Sequence, residues 1–105
     1  GPAISVYGGA GGAENFSAAA LPTCDVLELD CEGAEVEILQ QLPFHPRIIL
    51  VETHGLYGAS TALCERLLEA RGYRVRDLGV AEPRAAAFCE AKDIRVLVGE
   101  LSPAA

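Results

Sequence analysis

Two stretches hold most of the side chains able to do chemistry. Val26-Leu27-Glu28-Leu29-Asp30-Cys31-Glu32-Gly33-Ala34-Glu35 is an apolar run that ends in Asp30, Glu32 and Glu35. Arg47-Ile48-Ile49-Leu50-Val51-Glu52-Thr53-His54 is a second run that ends in a carboxylate, a hydroxyl and an imidazole. Both apolar runs have the continuous character of strands buried on two faces. Open α/β sheets place ligands outside the carboxyl ends of their strands. If the two strands are parallel neighbours, Asp30 and Glu32 come to the same edge as Glu52 and His54. Such a set can act as a general base with orienting groups, or hold a divalent cation through oxygen ligands. A purely structural reading stays open beside it. Asp30 and Glu32 could cap the following helix, Glu52 could satisfy loop N–H groups, and His54 could stand in solvent.

The elements that must position these residues follow from periodicity. Ala34, Ile38, Leu39 and Leu42 share one side of a helix. Glu35, Glu37, Gln40 and Gln41 fall mostly on the other, and Glu35 and Glu37 favour the dipole of its first turn. Pro43 and Pro46 end it. Strand, helix and strand within this length make a βαβ unit, with parallel strands and a right-handed crossover. Ser60 or Thr61 can cap a second helix that runs to about Arg71 with Leu63, Cys64, Leu67 and Leu68 inward, and Gly72 stops it. Tyr73 to Leu78 alternates with Tyr73, Val75 and Asp77 inward. Pro83 starts a short helix through Phe88, and Ile94 to Leu101 is the last strand. The last two strands are expected to pair antiparallel, giving four strands near 26–30, 47–53, 73–78 and 94–100. An apolar strand at 26–30 invites a partner along its free edge. Residues 3–7 folding back, or a second copy of the chain, would cover it.

Composition narrows the function classes. In 105 residues there are 15 acids and 8 bases, a formal charge of −7. That balance argues against binding a nucleic-acid backbone, which needs a basic face. Only Lys92 is a lysine, against seven arginines. Together with abundant alanine this suggests a GC-rich genome, and the acid excess is compatible with a salt-adapted organism. Cys24, Cys31, Cys64 and Cys89 lack zinc-knuckle or redox-pair spacing, which points to free thiols in a reducing cytoplasm. No run of about 18 apolar residues suggests a membrane span. Residues 1–23 read as a lead-in with a tag remnant at Gly1-Pro2, a possible short strand at Ile4 to Tyr7 and a glycine-rich linker at Gly8 to Gly12. The glycines there lack the phosphate-binding spacing, because Glu14 stands where the third is needed. Residues 24–101 form the domain and 102–105 a tail.

Leu27-Glu28-Leu29-Asp30-Cys31-Glu32-Gly33-Ala34-Glu35-Val36-Glu37-Ile38-Leu39 resembles the D-x-E-G-A-E-x-x-x-L signature of FkbM-type methyltransferases. Ile49-Leu50-Val51-Glu52-Thr53-His54 is similar to the family's next block, a strand ending in E-x-H, and Asp93-Ile94-Arg95-Val96-Leu97-Val98 to its last strand. The likeness spans about residues 24 to 100. The family pattern has a lysine or similar residue where Glu28 stands, and often a valine at Cys31. The resemblance implies half of a class I methyltransferase (Rossmann-like) sheet in an α/β fold: a βαβ unit, a helix and a C-terminal antiparallel strand pair. It implies an S-adenosylmethionine-dependent enzyme acting on a hydroxyl of a sugar or natural product. The family's cofactor site lies mainly in the first half of the fold, in a glycine-rich loop after the first strand and an acid after the second. Neither is found here, so the chain alone is expected to bind S-adenosylmethionine weakly or not at all. No cofactor-binding residue is assigned.

The sequence therefore reads as the C-terminal, substrate-side part of an FkbM-like O-methyltransferase, incomplete for catalysis alone. Asp30 is the expected base or contact to the reacting centre. Glu32 and Glu52 would orient it or bind a divalent metal, and His54 would be a secondary base or substrate contact. The alternative is a non-catalytic truncated paralogue that dimerises or binds a partner through an open sheet edge. A metal-dependent hydrolase built on the same acids is a third reading.

Overall fold

The computed structural model of the chain describes residues 2–7 and 18–102. The glycine-rich stretch read as a linker, and the tail after Ser102, lie outside the described residues.

Among the described residues, an α/β fold is built on a five-stranded mixed sheet. Strands β1 (Ala3–Tyr7), β2 (Val26–Asp30), β3 (Ile48–Glu52), β4 (Tyr73–Val80) and β5 (Arg95–Leu101) lie in the order β1-β2-β3-β5-β4. Helix α1 (Glu35–Gln41) joins β2 to β3, α2 (Thr61–Ala70) joins β3 to β4, and α3 (Ala86–Lys92) joins β4 to β5. The pairs β1–β2 and β2–β3 are parallel, while β3–β5 and β4–β5 are antiparallel. The four expected strands and both expected pairings are present. The fifth, β1, covers the free edge of β2, the first of the two alternatives expected for it, so this stretch of the lead-in is part of the sheet. Its register runs from Ala3 beside Val26 to Tyr7 beside Asp30. At that edge the Tyr7 hydroxyl donates to Glu28 at 2.6 Å and the Ser5 hydroxyl at 3.1 Å.

The core lies on one face of the sheet. Leu27, Leu29, Ile49, Val51 and Leu97 project from it and are fully buried against Ile38 and Leu39 of α1 and Cys64 and Leu68 of α2. Apolar burial of this kind contributes about 25 cal/mol for each Å² removed from water. The alternate residues Glu28, Asp30, Leu50, Glu52, Val96 and Val98 face the other way and are only half-buried. That alternation, read at first as burial on two faces, leaves one face only partly covered among the described residues and sends Asp30 and Glu52 to it.

Several cross-links fix the helices. The Ser60 hydroxyl accepts from the Leu63 N–H and caps α2. The Arg71 guanidinium donates to the carbonyls of Leu39, Leu42 and Phe44, closing the end of α1 that Pro43 leaves open. The Tyr73 hydroxyl donates to the Pro46 carbonyl. Asp77, expected inward, is instead exposed. A bulge between Asp77 and Gly79 breaks the alternation, and Asp77 accepts from the Gly79 N–H and from Arg95 at 2.8 Å each. The last connection holds a 3₁₀ turn at Pro83–Ala85 followed by α3, so its helix runs beyond Phe88 to Lys92.

Candidate functional site

Register places the two acids. Leu29 of β2 is beside Val51 of β3, and the next residues along these parallel strands are Asp30 and Glu52. Both strands end there. His54, two residues on, turns back towards them: its Nε2 is 3.2 Å from Glu52 Oε2 and 3.5 Å from Asp30 Oδ1. One ligand atom from each of Asp30, Glu52 and His54 lies within 4.8 Å of the others. Three of the four residues singled out in the sequence thus converge. His54 is only 6% exposed, so it is not a solvated loop histidine.

Glu32 is placed differently. It has a positive φ of 46° and is exposed, and it lines a recess of about 230 Å³ beside the acid pair. The recess is shared with Glu52, His54, Leu56, Tyr57, Phe88, Lys92 and Ile94. A second recess, about 320 Å³, opens on the half-buried face of the sheet between Tyr7, Glu28, Asp30, Leu50, Glu52 and Val96. Glu52 borders both.

The capping interpretation of these acids fails. Ala34 is the N-cap of α1 and receives no side-chain cap. Glu35, at the first position of the helix, serves the preceding turn instead. Its side chain is fully buried and folds back over the turn, with Oε2 accepting from Gly33 N at 2.7 Å and Oε1 from Cys31 N at 3.3 Å. Oε1 also lies 2.6 Å from His54 Nδ1. Sequence reasoning put Glu35 on the polar face, as a partner of the helix dipole. That expectation is corrected: helical spacing assigns a face to a side chain, but at the first position of a helix a carboxylate can bend back into the turn. Gly33 makes the turn possible. Its φ is 115°, and a Cβ there would stand 2.9 Å from the Tyr57 Cβ. A signal was available in the run Glu32-Gly33-Ala34-Glu35, where a carboxylate follows a turn glycine by two residues and can accept from the N–H groups of that turn.

Charges follow from this packing. Burial works against ionised Glu35, but the His54 hydrogen bond and the backbone N–H donors outweigh it and hold the carboxyl below its ordinary value. Burial likewise opposes a charge on His54. Glu35 first, and then Glu52 and Asp30, overcome it and raise the imidazole pKa. Burial, with the hydrogen bond and charge of Asp30, pushes Glu52 up to about 7 against the pull of His54. A carboxylate this close to another takes up a proton more readily than it does alone, and Glu52 is the one raised here.

Neighbouring groups are excluded from the chemistry. Burial and the nearby Glu35 push the Cys31 thiol up to about 12, and its Sγ faces the Val6 carbonyl. A thiol held neutral is a poor nucleophile. Thr53 is fully buried and turned away, accepting from Arg95 N and bonded to the Thr61 hydroxyl. Asp93, not singled out from the sequence, accepts from Thr61 N at 2.8 Å and Thr61 Oγ1 at 2.7 Å, fixing the loop that carries His54.

All four cysteines are free and buried. Among the described residues, no helix is long and apolar enough to cross a membrane. Comparison with protein-family models, with curated proteins and with solved structures gives no match.

Proposed function

We propose that this chain is the C-terminal, substrate-side part of an FkbM-like, S-adenosylmethionine-dependent O-methyltransferase, and that its sheet is half of a class I methyltransferase (Rossmann-like) sheet. The observation that carries this reading is the convergence of Asp30, Glu52 and His54 at the carboxyl edge of two adjacent parallel strands. The sequence resemblance centres on those same residues. The parallel β1–β2–β3 set, followed by an antiparallel β4–β5 pair, is compatible with the proposed half-sheet.

In methyl transfer the acceptor oxygen attacks the sulfonium methyl in line. A C–O bond forms, the S–C bond breaks, and the hydroxyl proton passes to a base. The protein contributes position and that base. Asp30, with 36% of its side chain exposed, is the base of this reading; it lines the recess on the sheet face, which meets the acceptor recess at Glu52. Glu52 and the Glu35-held His54 orient it. The recess rimmed by Leu56, Tyr57 and Phe88, all more than half exposed, takes the body of a sugar or natural-product acceptor.

The test is methyl transfer by the intact gene product to a panel of hydroxyl acceptors. Asp30→Asn should lower turnover about 10²- to 10⁴-fold, the range of a lost general base, with an unchanged circular dichroism spectrum. Near-normal turnover would overturn the assignment. The chain by itself should bind S-adenosylmethionine weakly in calorimetry. A dissociation constant of ~1 μM, about −8 kcal/mol, would contradict a substrate-side half.

A further inference from the structure

We infer that Asp30, Glu52 and His54 form a binding site for a single transition-metal dication such as Mn²⁺ or Zn²⁺. The inference goes beyond methyl transfer and stands without it, although it uses the same corner.

The first argument is spacing. With metal–ligand bonds of about 2.1 Å, neighbouring ligand atoms lie roughly 3.0 Å apart at right angles and roughly 3.4 Å apart at the tetrahedral angle. His54 Nε2 lies 3.2 Å from Glu52 Oε2 and 3.5 Å from Asp30 Oδ1. Both separations from Nε2 suit one ion, and the ligand atoms of the three residues all lie within 4.8 Å of one another.

The second argument is the fixed ring. Fully buried Glu35 accepts from His54 Nδ1–H at 2.6 Å, and its other oxygen is held by Gly33 N–H. Metal-binding histidines commonly donate their second ring N–H to a carboxylate or carbonyl, which sets the tautomer and aims the free nitrogen. Here that arrangement aims Nε2 at two carboxylates, where a bound cation would take the place of the ring's second proton. Lone pairs crowded against carboxylate oxygens repel unless a cation stands between them. A dication would relieve the whole set, and a proton would relieve only part of it.

Ligand type selects the metal. One imidazole with two carboxylates matches Mn²⁺, Fe²⁺ or Zn²⁺ better than Mg²⁺ or Ca²⁺, which prefer oxygen alone. Three protein ligands leave coordination positions open, and the recess beside Glu52 and His54 gives an acceptor oxygen access to them. In the methyl-transfer reading, such an ion would hold the acceptor hydroxyl and lower its pKa.

The experiment is titration of the chelator-stripped chain with Mn²⁺, Zn²⁺ or Mg²⁺ alone, followed by calorimetry and by the Mn²⁺ electron paramagnetic resonance signal. One equivalent of Mn²⁺ or Zn²⁺ should bind, and Mg²⁺ at least about tenfold more weakly. Asp30→Asn and Glu52→Gln, both at half-buried positions that tolerate the amide, should each weaken binding at least tenfold. Glu35→Gln should weaken it by about 10- to 100-fold, as for other outer-shell partners of metal ligands. Glu37→Gln, on the exposed side of α1, should leave it unchanged. No saturable binding by the parent chain, or full binding by Asp30→Asn and Glu52→Gln, would overturn the site. Metal binding by the chain, with no methyl transfer by the intact gene product, would leave the site standing and remove the proposed activity. Methyl transfer undiminished in the stripped protein, with no metal bound, would do the reverse.

Discussion

Two sets of carboxylates lie where β3 ends, and they are treated in opposite ways. Asp93 is closed. Its oxygens accept from the N–H and hydroxyl of Thr61, and the network continues through Thr53 to the Arg95 N–H. Every donor there is neutral and every acceptor is matched, so the cluster pins the His54 loop and has nothing left to offer. Asp30 and Glu52 are open. They face each other and one imidazole nitrogen, beside two recesses, and Glu52 is pushed up to about 7 by its burial and by Asp30. Glu35 joins the two kinds: buried and satisfied like Asp93, it spends its satisfaction on aiming His54 into the open set. A carboxylate matched by donors holds structure, and a carboxylate left facing another is held in place by structure.

The largest effect expected from this contrast is at Glu35. Glu35→Ala removes the partner of two turn N–H groups and of His54 in a dry setting, and should cost about 3 to 5 kcal/mol, as when one partner of a buried ion pair is removed. Urea unfolding measures it. A cost below 1 kcal/mol would mean that Glu35 is the dipole partner its helical spacing suggested. Next is the closed cluster itself. Asp93→Ala should cost about 1 to 3 kcal/mol, the desolvation penalty of leaving the Thr61 donors unmatched.

How much of this the sequence showed follows from the same contrast. Period-2 and helical patterns place β2 to β5, α1 and α2, because burial of Leu27, Ile49, Leu68 and their neighbours dictates both pattern and fold. Asp30, Glu52 and His54 could be read because strand ends and parallel pairing are local and topological facts. Glu35 and Asp93 could not. Each bonds a residue far along the chain, His54 in one case and Thr61 in the other, and no periodicity records such a partnership. The half-buried face of the sheet was also missed, since apolar Ile48, Leu50, Val96 and Val98 read the same whether fully or partly covered.

A smaller effect appears in pH dependence, measured with chelator present. Glu35, with its pKa lowered, contributes stability above its ordinary 4.5 that is lost as pH falls through the lowered value. His54, with its pKa raised, contributes stability below its ordinary 6.5 that is lost as pH rises through the raised value. Glu52 works in the same direction: the folded state takes up a proton between 4.5 and about 7, so stability falls as pH rises across that window. Thermal midpoints should therefore peak near pH ~5 and decline towards pH ~8. Glu52→Gln should flatten part of that decline. A midpoint that rises steadily from pH 5 to 8 would mean that the carboxyl pair is not crowded.

The most direct test of the contrast uses the chain as it is. Urea unfolding of Asp30→Asn combined with Glu52→Gln is compared with the parent chain at pH 8, with chelator present. Removing carboxylates that face each other should leave the double variant at least as stable as the parent, while Asp93→Ala is measurably weaker. A double variant destabilised as much as Asp93→Ala would show that Asp30 and Glu52 are held for structure, and the open corner would not be a site.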